Sequence, residues 1–120
     1  MSPSDEFPAD GISTTPASFD AREGAQPDTW ILSVSGEVDV ATSPDLRREL
    51  HALLDQGRGV VVLDLGATTF MDSSGLGVLV GALRRCKQEG RDDTIVLEGL
   101  QEPVRKVFDI TGLAELFTIR

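Results

Sequence analysis

Residues 60–90 read VVVLDLGATTFMDSSGLGVLVGALRRCKQEG, and two hydrophobic periods meet inside them. Residues 60–65 form a nearly unbroken β-branched and aliphatic run, the composition of a strand covered on both faces in a parallel or mixed sheet. From Ser73 or Ser74 onward, Leu76, Leu79, Val80 and Leu83 recur at helical spacing until Gly90. Residues 66–71 read as the turn between them. A buried strand leading into an amphipathic helix is the unit from which layered α/β domains are built.

The flanking segments extend the same alternation. On the N-terminal side, residues 30–35 (WILSVS) predict a core strand closed by Gly36 and a polar turn through Asp39. Thr42, Ser43 and Pro44 then supply a helix start, with a hydroxyl cap and a proline in the first turn. Leu46, Leu50, Leu53 and Leu54 follow at i, i+4, i+7 and i+8, and Gly57 supplies the stop. Residues 17–22 predict a first edge strand before a turn at 23–28. On the C-terminal side, residues 94–97 make another strand, and residues 103–109 present Val104, Val107 and Phe108 on one helical side before Gly112. Residues 116–119 close the sheet. The expected fold is a single α/β layered domain over residues 16–120, with a mixed sheet of four to five strands and three or more helices. The order of strands stays open. Residues 1–15, rich in Ser, Pro and Asp and without a hydrophobic period, read as a disordered acidic tail.

Composition narrows the functional classes. A 120-residue chain that is 40% hydrophobic and 26% charged has room for one core. Its net charge of -9 argues against nucleic acid as a direct partner, because a duplex-binding face is basic. The acid is concentrated early, with six Asp or Glu against one Arg in residues 1–28. No apolar run approaches the roughly 20 residues that span a bilayer, and the first ten residues are acidic where a secretory signal is basic, so cytoplasmic residence without membrane attachment is expected. Cys86 is the single cysteine, which excludes an internal disulfide and a cysteine-built zinc site. Asp92-Asp93 has no neighbouring ligands and reads as a solvated turn, so neither metal nor cofactor is expected.

The chemistry lies at the junction of residues 60–77. Ser73 and Ser74 fall beside a helix N-terminus, where unpaired N–H groups and a partial positive charge let a serine cap the helix and tolerate an anion. Gly75 and Gly77 keep the neighbouring surface low enough for a partner to approach the backbone. The same residues have a plainer reading: a serine cap worth roughly 1 kcal/mol, and glycines that let the helix pack closely on the sheet. Enzymatic readings fail on residue type. A nucleophile elbow requires G-x-S-x-G, but Met71 and Asp72 stand two residues before Ser73 and Ser74. The one histidine, His51, reads as a solvated residue on the first helix. Gly75, Gly77 and Gly81 are one residue too long for a dinucleotide fingerprint, and no G-K-[ST] follows.

The segment 70–78, FMDSSGLGV, resembles the signature of the STAS-domain anti-sigma factor antagonists. Residues 36–39 (GEVD) and 103–113 (PVRKVFDITGL) resemble the same family, so that the likeness covers residues 30–119. It implies that Ser73, directly after Asp72, is a phosphoacceptor, and that Asp39, Asp72, Ser74, Gly75 and Gly77 belong to a partner-facing surface. It further implies an anti-sigma factor antagonist whose unmodified form binds an anti-sigma factor serine kinase and so releases a sigma factor. Phosphorylation would end that interaction and a metal-dependent serine phosphatase would restore it. A monomer is the expected state. The alternative within the fold is an accessory STAS subunit of a transport or signalling assembly that is not phosphorylated. Gly90-Arg91 in place of a Gly-Gly pair departs from the family pattern, as does the absence of a final helix after the last strand.

Overall fold

The computed structural model describes residues 16–57, 59–91 and 94–120. The readings of residues 1–15 as a disordered tail and of Asp92-Asp93 as a solvated turn lie outside the described residues. The elements run β1 (Ser18–Glu23), β2 (Thr29–Val38), α1 (Ser43–Leu54), β3 (Val60–Met71), α2 (Ser73–Gln88), β4 (Ile95–Glu98), α3 (Glu102–Thr111), a short 3-10 turn (Leu113–Leu116) and β5 (Thr118–Ile119). The five strands form one sheet in the order β1-β2-β3-β4-β5. β1 and β2 make an antiparallel hairpin, and every other neighbouring pair is parallel. The expected mixed α/β architecture is therefore the observed one.

Strand alternation decides what the helices cover. Val61, Leu63 and Leu65 of β3 join Leu32 and Val34 of β2 and Ile95 and Leu97 of β4 in one core. The buried apolar side chains of α1 (Leu46, Leu50, Leu53, Leu54), α2 (Leu76, Val78, Leu79, Ala82, Cys86) and α3 (Val104, Phe108) belong to that same core. The helices thus pack on one face, while on the other Val62 and Val96 are still buried, so the hydrophobic run of β3 is covered on both faces as expected. Val62, flanked in register by Ile31 and Val96, lies on the opposite face, followed by a row of Ser33, Asp64 and Glu98. Phe108 and Phe117 close the core edge-on, with ring centroids 5.9 Å apart.

Both central strands are longer than their hydrophobic runs. β2 continues past residue 35 because Gly36, at φ 88°, is absorbed where the β2–β3 register shifts. β3 continues through the glycine, alanine and threonines read as a turn. The Thr68 hydroxyl donates to the Val34 carbonyl at 2.6 Å and the Thr69 hydroxyl to that of Gly36 at 3.3 Å, which ties the extended segment to β2.

At their C-terminal ends α1 and α2 are clamped by Arg85. Its guanidinium donates to Asp55 Oδ1 (2.6 Å), Glu89 Oε2 (3.1 Å) and His51 Nδ1 (2.8 Å). Arginine only donates, so Nδ1 is the acceptor and the ring is neutral with its proton on Nε2. His51 is accordingly not the freely solvated side chain expected. Burial, and next the Arg85 charge, lower its pKa below 6.5. The folded state then binds fewer protons than the unfolded chain, so the contribution of His51 is fully present above pH 6.5 and lost as pH falls through the folded pKa. The midpoint of urea denaturation should fall between pH 7.5 and 5.5, and His51→Gln should flatten that dependence; an unchanged slope in the variant would remove His51 as its source.

Candidate functional site

The site is built where β2 and β3 end together. Val38 and Met71 are the last registered pair of the two parallel strands, and the Asp72 N–H donates to the Val38 carbonyl at 3.1 Å. The chain leaves both strands at the same edge, so the β2–α1 loop (residues 39–42) and the β3–α2 junction lie side by side. Asp39 and Asp72, 33 residues apart in sequence, follow directly from paired positions.

Asp72 is the N-cap of α2, with extended backbone at φ -101° and ψ -171°. Its Oδ1 accepts from the N–H groups of Ser74 (2.8 Å) and Gly75 (3.3 Å). The cap is therefore a carboxylate, correcting the expectation that a serine hydroxyl performs it. Ser73, the first helical residue, is exposed, and among the described residues its hydroxyl has no hydrogen-bond partner. Ser74 is half-buried behind it. Relieved of capping, the Ser73 oxygen faces solvent at a rigid, backbone-anchored position.

The two glycines divide between the two readings. Gly75 is buried, and a Cβ there would meet Met71 Cγ at 2.7 Å and Val38 Cγ1 at 2.8 Å. Its missing side chain lets α2 sit on the ends of β2 and β3, so it does not form the low outer surface expected of it. Gly77 does: it is exposed, and a Cβ added there would meet nothing within 4 Å.

Asp39 organises its own loop. Its Oδ1 accepts from the Ala41 N–H (3.0 Å), the Thr42 N–H (3.1 Å) and the Thr42 hydroxyl (3.1 Å). The Thr42 hydroxyl also faces the Glu37 carbonyl at 3.1 Å and does not cap α1, which corrects the predicted hydroxyl cap. Two apolar residues that periodicity alone did not single out complete this end of the molecule. Val40 is 74% exposed in the β2–α1 loop, and Phe70, paired with Glu37, is 46% exposed. The signal for Phe70 was available once Met71 is placed in the core, since adjacent strand residues point to opposite faces. His51 belongs elsewhere: it holds Arg85, twelve residues along α2 from Ser73, or about 18 Å at 1.5 Å per residue. No serine–histidine pair forms among the described residues.

This division is testable by stability alone. Gly75→Ala should cost about 1–3 kcal/mol through overpacking, whereas Gly77→Ala should be neutral or gain up to about 1 kcal/mol from helix propensity. Equal effects in chemical denaturation would contradict the packing assignment. Asp72→Ala should cost about 1 kcal/mol by removing the cap.

Comparison with known proteins agrees with this geometry. The STAS domain family model matches residues 22–120. An anti-sigma-B factor antagonist of Bacillus subtilis is 39% identical over 88 residues, which make up 73% of this chain and 78% of the relative. An anti-sigma factor antagonist from Mycobacterium paratuberculosis superposes with a TM-score of 0.77 at 24% identity, covering 88% of each chain. The anti-sigma factor antagonist SpoIIAA in its unphosphorylated form superposes with a TM-score of 0.66 at 25% identity, over 86% of this chain and 88% of that one. Its phosphorylated form, described as a Bacillus cell fate determinant, gives 0.63 at 24% identity, over 86% and 91%. On its sequence match and on its fold, this chain belongs to the STAS domain family.

Proposed function

We propose that this protein is an anti-sigma factor antagonist, switched by phosphorylation of Ser73. The observation that carries the reading is the exposed Ser73 hydroxyl, without a partner among the described residues because Asp72 takes over the capping of α2. In the unmodified state, the surface formed by Asp39, Val40, Phe70, Asp72, Ser73 and Gly77 docks an anti-sigma factor serine kinase, and a sigma factor is released. Ser74 supports this surface from behind, and Gly75 lets α2 reach its position.

Phosphorylation changes this surface without disturbing the core. A phosphate adds about -1.5 to -2 charges and three acceptor oxygens. The N–H groups of Ser74 and Gly75 are already occupied by Asp72. The phosphate therefore projects outward, beside an existing carboxylate, into the space a partner would fill. Repulsion and steric conflict end the interaction while the domain stays folded, and a serine phosphatase reverses the change. The protein acts as a binding switch and performs no catalysis itself. It works in the cytoplasm, where its kinase, phosphatase and ATP meet.

The test combines chemistry and binding. Incubation with anti-sigma kinases of the same organism and ATP should add one phosphate, mapped to Ser73 by mass spectrometry. Ser73→Ala should keep kinase binding in a pull-down, Ser73→Glu should weaken it at least tenfold, and the phosphorylated protein should retain its circular dichroism spectrum. Absence of phosphate with every kinase, together with unimpaired binding by Ser73→Glu, would favour an unphosphorylated accessory STAS subunit instead.

A further inference from the structure

The two edges of the sheet are unequal. β5 offers two residues, whereas β1 offers six, SFDARE, paired on one side to β2. Among the described residues no segment pairs with the outer side of β1. A free edge is a template for another chain, and proteins commonly block it with proline, a bulge or charged side chains. β1 holds neither proline nor glycine, and its register with β2 is unbroken. Its charges are of both signs, and their order matches that of a second copy.

Asp20 and Arg22 are paired with Ser33 and Ile31, so they stand on the sheet face that the helices leave open. Their side chains are 72% and 49% exposed. Arg22 Nη1 donates to Asp20 Oδ2 at 3.1 Å and to the Ser33 hydroxyl at 2.8 Å. Among the described residues its Nε and Nη2 have no acceptor. The guanidinium is thus held in place with donors to spare.

We infer that β1 pairs antiparallel with β1 of a second copy, about a two-fold axis through Ala21. That register sets Asp20 opposite the second copy's Arg22, and Arg22 opposite its Asp20. Opposed side chains on paired strands lie about 4.5–5.5 Å apart at Cβ, where opposite charges attract and like charges repel. An axis one residue away, through Asp20 or through Arg22, would place two like charges against each other. Charge order therefore selects the register, and the spare donors of Arg22 receive the second carboxylate. The contact uses the backbone of an edge, which hydrophobic periodicity does not report, and it replaces the monomer expected from the sequence. The axis also reverses the strand direction of the second copy, so β2 and β3 of the two copies end on opposite sides of the joined sheet. With the function proposed above, the dimer presents two Ser73 surfaces facing away from each other, and each can engage its own kinase.

Such a contact lies at the small end of interfaces, below about 1,200 Å², and each copy carries a net charge of -9. The test is sedimentation equilibrium up to millimolar protein at about 150 mM salt, where exposed charges more than about 8 Å apart are screened. The full chain should show a monomer–dimer equilibrium. Asp20→Arg and Arg22→Asp should each weaken it about tenfold, and the two exchanges together should restore it to within about threefold. Ala21→Cys reads the register directly, because residues opposed across the axis have Cα atoms about 4.5–5.5 Å apart, within disulfide range. Mild oxidation should link it several times faster than Ala25→Cys, which is exposed but lies beyond the strand; Cys86 is buried and does not compete. A monomer at every concentration, a dimer indifferent to the charge exchanges, or equal cross-linking at both positions would overturn the pairing. None of these measurements involves Ser73, so failure of the dimer and failure of the switch are told apart.

Discussion

The parallel pairing of β2 with β3 is the constraint on which the site depends. Its last registered pair, Val38 with Met71, and the hydrogen bond from the Asp72 N–H to the Val38 carbonyl bring two loops from distant parts of the sequence to one edge. That pairing extends beyond the hydrophobic runs of both strands because Gly36 accommodates a register shift and the Thr68 and Thr69 hydroxyls reach backbone carbonyls of β2. If β3 ended at Leu65, Asp72 and Ser73 would hang on a six-residue loop with no defined relation to Asp39.

From this anchored edge the structure separates rigidity from reactivity. Asp72 and Gly75 are turned toward the protein, the one satisfying the first amides of α2 and the other yielding its side-chain volume to Met71 and Val38. Ser73 and Gly77 are turned toward solvent. A charge placed on Ser73 therefore alters what the surface can bind and not what the core contains. The Arg85 clamp lies about 18 Å away at the far end of α2 by helical rise, and it joins the helices where no partner-facing residue has been placed.

Legibility varied with the length scale of the interaction. The helix of residues 43–54 was legible because Leu46, Leu50, Leu53 and Leu54 repeat at 3.6-residue spacing, and the start of α2 because Asp-Ser-Ser-Gly precedes another such repeat. The extension of β3 was not legible, since Gly66 and Ala67 favour a turn locally and only the opposite strand supplies the bonds that hold them extended. Thr42 was misread for the same reason: a hydroxyl ahead of a proline is a good cap in isolation, but Asp39 and the Glu37 carbonyl engage it. The Asp72 carboxylate competed successfully with two serines because a charged acceptor makes the stronger hydrogen bond to backbone amides.

The sequence by itself determined the alternation of strands and helices, the apolar residues of the core and the segment in which Ser73 stands, because these follow from local periodicity and residue chemistry. Only the tertiary structure decided the strand order, the single face on which the helices pack and the roles of Gly75 and Gly77, which share a helix yet meet opposite surroundings. It also decided that Glu37, Asp39, Val40, Phe70 and Asp72 form one end of the molecule. Periodicity shows which face of an element is apolar, but proximity between elements arises from long-range pairing, and that is written in no single segment.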